Sequence, residues 1–408
     1  SGSIQRRQQI AEKRGILHML TFNNDIMGLQ PSRSMAFMAK AKQMQATDPS
    51  VINLAGGEPD FDTPKKICDE LFRQINSGYT HYTVGAGLPE LRKRIAEKLA
   101  DENGCNYSPD GVIVTPGGKF AIYLAVRTLV NPGDEVMYLE PAWVSYPSII
   151  EASAAKPVPV RLSLEQNYKV TLEQLEKFVT DKTKILIINY PNNPTGKTLS
   201  KEEADALEQF MLRHPGVALI ADEIYERIIF KGYSNISMAS YPSIADRVIT
   251  VNGFSKSVAM TGWRIGYLAT TPEIKNAMYK LFQHTITCVS GFVQKAAVVA
   301  LDCAEEIEAM RQSYEHRRDL FVGGLNAIDG VECNYPEGAF YAWVKFDIPG
   351  LDSEGVCDYI LKEAKVVGVP GIAYGTDDSC VRFSFASSEE DLKQAVERIG
   401  AVMAKVKR

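Results

Sequence analysis

At 408 residues, with 45% hydrophobic and 23% charged side chains, the chain has the balance of an ordinary soluble globular protein and is long enough to expect two domains. A net charge of −5 gives no reason to expect nucleic-acid binding, and no apolar run approaches the roughly 20 residues of a membrane span. Seven cysteines, odd in number and without a Cys-x-x-Cys pair, speak against a disulfide framework or a metal site and for a reducing cytoplasm.

Ser1-Gly2-Ser3 reads as the remnant of a removed tag, and residues 4–30 as an N-terminal arm with at most one short helix. Ser32-Arg33-Ser34 precedes a helix in which Phe37, Ala41 and Met44 recur at helical spacing. The segment Ile52 to Asp60 ends a short strand in the Gly56-Gly57 turn, where a ligand can come close to the backbone. From Asp62 onward helices and strands alternate. Thr63-Pro64 and Leu88-Pro89 open helices, because proline suits a first turn. Val112 to Thr115 is a strand, Pro116-Gly117-Gly118 a tight turn and Lys119 to Val130 a helix, a unit whose free N–H groups can bind an anion. Glu135 to Leu139, Lys184 to Asn189, Ala218 to Ala221, Val248 to Val251 and Ile265 to Ala269 are further buried strands. This alternation predicts an α/β fold with a largely parallel sheet covered on both faces, and ligands bind such sheets beyond the strands' carboxyl ends. After Pro272 the pattern turns to long helices, one of them running through much of 291–326, then to a mixed α+β tail ending in a helix over Glu389–Val406.

The chemistry concentrates after the strand Val248 to Val251. Lys256 stands among small and apolar residues; a lysine in a dry pocket has a lowered pKa and can form a Schiff base with an aldehyde. Ser255 and Arg264 can hold a phosphate, so the implied cofactor is an aldehyde bearing a phosphate, pyridoxal 5'-phosphate (PLP). Asp222, at a strand end, would pair with the pyridine nitrogen and make the ring an electron sink, with Tyr225 donating to the ring oxygen. Asn193, between Pro191 and Pro194, can bond the same oxygen, and Trp143 can offer the ring a flat face. Arg382, in Cys380-Val381-Arg382-Phe383-Ser384-Phe385, can clamp an α-carboxylate if it faces a cleft. Each of these residues also has an ordinary role as cap, turn, core or surface residue.

Together with Ala55-Gly56-Gly57-Glu58-Pro59-Asp60-Phe61 and the Asn192-Asn193-Pro194-Thr195-Gly196 turn, these motifs resemble the class I aminotransferases of PLP fold type I from about Gln30 onward. The resemblance implies a large PLP-binding domain over 56–299 with a mostly parallel seven-stranded sheet between helices. A smaller α+β domain would form from both chain ends, 31–55 plus 300–408. It also implies that Lys256 is the Schiff-base lysine and proton shuttle. Backbone at Gly118 and Lys119, with Ser255 and Arg264, would hold the phosphate, and Gly57 and Arg382 would meet the α-carboxylate. Tyr82 matches a tyrosine that reaches the partner's cofactor, so a homodimer with shared active sites is expected.

Gly117-Gly118-Lys119 is similar to the bacterial and plastid aspartate aminotransferases, in which this lysine meets the substrate's distal carboxylate, and Ser34 matches a hydroxyl that helps there. The resemblance thus implies L-aspartate and 2-oxoglutarate as substrates. Arg33 stands where a small residue is expected, either as a second cation or as a mark of another substrate. Gln30 replaces the lysine of members that act on prephenate, and the Pro370-Gly371-Ile372-Ala373-Tyr374 loop departs from the usual small polar residue after its glycine. An aminotransferase for aromatic, neutral or basic amino acids, and a PLP lyase or oxidase, are the alternatives.

Overall fold

Short β-branched runs that stop at a glycine, asparagine or aspartate set the frame. The computed structural model describes residues 21–29, 33–376 and 379–406. After a two-residue strand β1 (Ile52–Asn53) come β2 (Val112–Thr115), β3 (Glu135–Glu140), β4 (Lys156–Arg161), β5 (Thr183–Asn189), β6 (Ala218–Asp222), β7 (Val248–Gly253) and β8 (Gly266–Ala269). β2 to β8 form one seven-stranded sheet in the order β2-β8-β7-β6-β5-β3-β4. β8 runs antiparallel to both its neighbours, and the other pairings are parallel. Successive strand residues point to opposite faces, so two cores form. Ile113, Val136, Ile187 and Ile249 pack under the helices Gly118–Leu129 and Pro272–Thr285. Val114, Met137, Leu186 and Leu219 pack under Pro89–Asn103 and Lys201–Arg213.

β4 is the strand of this sheet that the apolar pattern hides. It reads Lys-Pro-Val-Pro-Val-Arg, and proline cannot donate to a ladder. Pro157 and Pro159 lie two apart, so both missing N–H groups fall on one side of the strand, and the edge position leaves one side without a neighbour.

A second sheet joins β9 (Val331–Cys333), β10 (Tyr341–Phe346), β12 (Val369–Pro370) and β13 (Cys380–Ser384) in the order β12-β13-β10-β9, all antiparallel. β1 pairs in parallel with β11 (Val366–Val367), so the early chain closes against the late one. Ile52 and Leu54 share a core with Phe321, Val344, Phe383 and Ile399. The single helix expected through 291–326 is two, Gly291–Ala300 and Ala304–Asn326. The helical periodicity continues across the break, but side chains from elsewhere satisfy its polar groups: Lys66 Nζ donates to the Asp302 carbonyl at 3.0 Å and Arg94 to the Asp302 carboxylate at 2.5 Å. The C-terminal helix ends at Met403. No helix among the described residues is long and apolar enough to cross a membrane.

Candidate active site

The carboxyl ends of β5, β6 and β7 and the turn after β2 meet the second sheet at a cavity of about 340 Å³. Lys256 lines it three residues beyond β7, with its Nζ donating to the Gly57 carbonyl. Burial pulls this ammonium's pKa down to about 8; Glu58 opposes the shift and Arg382 and Arg264 add to it. The amine is therefore partly neutral near pH 8, the state in which it attacks a carbonyl or accepts a proton.

Asp222 ends β6 opposite Asn189 of β5. Its carboxylate accepts from the Tyr146 hydroxyl at 2.6 Å and the Ile224 N–H at 3.3 Å. Burial nevertheless pushes its pKa up to about 6, against these hydrogen bonds and the attraction of Lys256. The Asn189 side chain ties the turn together: Nδ2 donates to the Asp222 carbonyl at 2.9 Å, and Oδ1 accepts from the Asn193 N–H at 2.9 Å.

Arg382 lies in β13 opposite Trp343 and is buried, not solvent-facing. It donates to Asn193 Oδ1 at 3.1 Å and to the carbonyls of Ala55 and Gly56 at 2.9 and 3.2 Å. Its guanidinium stands 4.3 Å from the centroid of the Tyr341 ring, and its buried Nε has no hydrogen-bond partner among the described residues. Tyr225 shares a 2.8 Å hydrogen bond with the Tyr341 hydroxyl.

The other end of the cavity is a glycine cradle. Gly117 has φ 88°, a left-handed conformation that favours glycine, and a Cβ there would come within 2.6 Å of the Arg264 guanidinium. A Cβ on Gly266 would come within 2.8 Å of the Gly118 N–H. Gly118 opens the helix Gly118–Leu129, whose first N–H groups are free of intrahelical partners. Arg264 donates to the Thr261 carbonyl at 2.8 Å, and Ser255 lines the same cavity. A cation, a hydroxyl and unpaired backbone N–H groups at one end, a carboxylate in the middle, a desolvated lysine and an arginine with an orphaned N–H: this donor set fits PLP.

Lys119 also lines the cavity, its Nζ 5.0 Å from the centroid of the Trp143 ring. Burial and the nearby Arg264 both lower its pKa. Gly57 lines the cavity, whereas Tyr82 is 88% exposed and outside it. The Arg33 and Ser34 side chains and Gln30 lie outside the described residues. Ile372 does not line the cavity; its N–H donates to Ser353 Oγ at 3.1 Å, and Tyr374 is the loop residue that reaches the site. Tyr146 and Tyr341 were not singled out by the sequence. Glu58 and Tyr374 stood within motifs that were, the Gly56-Gly57 turn and the Pro370-Gly371 loop, but without a role of their own.

A mostly parallel sheet with a desolvated lysine, a buried carboxylate and a glycine cradle beyond its carboxyl ends fits a PLP enzyme of the aminotransferase type. Residues 49–399 match the family model for aminotransferase class I and II. The aspartate aminotransferase of Geobacillus stearothermophilus is 40% identical over 386 residues, 93% of this chain and 98% of that protein. The bifunctional aspartate aminotransferase and glutamate/aspartate-prephenate aminotransferase of Petunia hybrida is 39% identical over 396 residues, 94% of this chain and 82% of that protein. The solved aspartate aminotransferase of Rhizobium meliloti superposes with a TM-score of 0.90 at 36% identity, covering 95% of this chain and 100% of that one. The chain belongs to the class I and II aminotransferases and is a PLP-dependent enzyme.

Proposed function

We propose that this aminotransferase moves the amino group between L-aspartate and 2-oxoglutarate by a ping-pong mechanism. The observation that carries the reading is that Arg382 and Lys119 line one cavity as two cations beyond Lys256 and Arg264, which are assigned to the cofactor. A dicarboxylate buried against a single cation would leave one charge uncompensated, which is costly. Arg382, with its unused N–H and the adjacent Gly57 segment, takes the α-carboxylate, and Lys119 takes the distal one. Arg33 and Ser34, at the start of the helix Arg33–Thr47, are assigned to the distal end on the sequence alone.

PLP, when bound, supplies an aldehyde that captures the amino group and a ring that accepts the electron pair left at the α-carbon. Lys256 Nζ would provide the attachment point and carry the proton between the substrate α-carbon and the cofactor carbon. Asp222 keeps the ring nitrogen protonated, and Trp143 packs on the ring face. Tyr225 and Asn193 donate to the ring oxygen. Ser255, Arg264 and the backbone N–H groups of Gly118 and Lys119 hold the phosphate. We assign Tyr82, exposed on a single chain, to the phosphate of a second copy, which makes the working unit a homodimer with shared sites. The expected compartment is the cytoplasm.

A half-reaction screen tests the substrate. The PLP enzyme is mixed with single amino acids and the loss of the cofactor's Schiff-base absorbance is followed. Rapid conversion by aspartate and glutamate, with little by alanine, phenylalanine or arginine, is expected; conversion by a neutral, aromatic or basic amino acid alone would overturn the assignment.

A further inference from the structure

Tyr341 occupies the joint between the two halves of the site. It opens β10, pairs in register with Ser384 of β13, and is fully buried. Two contacts meet on it, and the Gly57 backbone lies alongside. Its hydroxyl is 2.8 Å from the Tyr225 hydroxyl. Its ring carries the Arg382 guanidinium at 4.3 Å. A Cβ on Gly57, whose carbonyl accepts from Lys256, would sit 3.6 Å from the same hydroxyl.

A phenol pair shares one hydrogen bond, and either oxygen can donate. If Tyr225 is to donate to the cofactor, its own proton is committed, and the contact must be made by the Tyr341 proton. That arrangement orients the Tyr225 O–H and strengthens it as a donor, since hydrogen bonds in series polarise one another. The ring of Tyr341 meanwhile offers its negative face to the arginine. We propose that Tyr341 is a positioning residue with two separable parts: a hydroxyl that aims Tyr225 at the ring oxygen, and a ring face that holds Arg382 for the α-carboxylate. The inference rests on the assignment of Tyr225 to the ring oxygen made above.

The two parts separate in two variants. In the PLP-loaded enzyme a donor at the ring oxygen competes with the proton on the Lys256 nitrogen, so a weakened donor moves the pKa of the Lys256–cofactor chromophore upward. Tyr341→Phe keeps the ring and removes the hydroxyl. Spectrophotometric titration is expected to move the chromophore upward by about half a pKa unit or more, roughly threefold in the constant, and less far than Tyr225→Phe. The dissociation constant for succinate, a dicarboxylate without an amino group, is expected to stay within about twofold of the parent. Tyr341→Leu removes the ring as well and is expected to weaken succinate by roughly fivefold, the size of a cation–π contact. A shift in Tyr225→Phe with none in Tyr341→Phe would overturn the role of the hydroxyl. Unchanged succinate binding in Tyr341→Leu would overturn the role of the ring. No shift in Tyr225→Phe would overturn the assignment of Tyr225 itself, and this inference with it.

Discussion

The Lys119 ammonium stands 5.0 Å from the centroid of the Trp143 ring, held over an aromatic face without a carboxylate salt-bridge partner among the described residues. Burial and the neighbouring Arg264 both disfavour its charge. A cation kept in this way gains from an incoming anion, and the ring beneath it limits the positions it can take. Its side chain and its backbone N–H then have different roles, because the N–H belongs to the first turn of the helix Gly118–Leu129.

Lys119→Ala removes the side chain and keeps the N–H. The expected result is a loss of roughly 10- to 100-fold in kcat/KM for aspartate, the worth of a hydrogen bond to a charged group, with alanine turnover changed far less. Steady-state kinetics with both donors checks this. Equal losses for the two would show that Lys119 is no specificity cation.

Lys256→Ala should abolish the Schiff-base absorbance and lower turnover by about 10⁴-fold or more, since one change removes both attachment point and proton carrier. The fold should persist, because among the described residues the Lys256 side chain makes a single hydrogen bond, to the Gly57 carbonyl. Circular dichroism and single-turnover assays read the two consequences separately.

The cradle predicts a glycine that cannot be replaced. At Gly117, φ of 88° strains any L side chain, and a Cβ would meet the Arg264 guanidinium at 2.6 Å. Gly117→Ala is therefore expected to displace Arg264 and weaken PLP retention by roughly tenfold or more, the cost of disturbing one charge-assisted contact. Equilibrium dialysis of the loaded enzyme measures it. Retention equal to the parent would mean that Arg264 does not hold the phosphate.

Residues that end a strand were the legible ones. Asp222 and Lys256 follow apolar β-branched runs, and their chemistry stands out against the small residues around them. Gly117-Gly118 was legible because a turn between strand and helix leaves few other uses for two glycines. Tyr341 and Tyr146 were not: Tyr341 sits in an apolar run and Tyr146 between Ser145 and Pro147, and what distinguishes each is a partner 116 or 76 residues away in sequence. Only the juxtaposition of the two sheets creates the first of these contacts. β4 was hidden for a local reason, its two prolines, and the break at Leu301–Cys303 for a distant one, the Lys66 and Arg94 side chains that satisfy Asp302.

The residue after Asp222 sets a pH dependence on stability. Glu223 is buried; Ser237 Oγ donates to its Oε2 at 2.5 Å, and Oε1 has no hydrogen-bond partner among the described residues. Burial, helped by the neighbouring Glu226, raises its pKa from the ordinary 4.5 to about 7, against the donors Ser237 and Asn235 and the attraction of Lys98. Between those two values the folded protein binds more protons here than the unfolded chain does. The contribution of this group is thus fully present below pH 4.5 and is lost as pH rises through about 7. Asp222, pushed up to about 6, acts in the same direction where the site is empty. Glu223→Gln removes one of the two while its amide oxygen can still accept from Ser237. The parent's Tm should therefore fall more between about pH 5 and pH 8 than the variant's, by a few degrees. Thermal melts of the PLP-loaded protein across that range decide the matter. Parallel curves would mean that Glu223 stays ionised in the fold, with the Lys98 and Asn103 side chains compensating its charge.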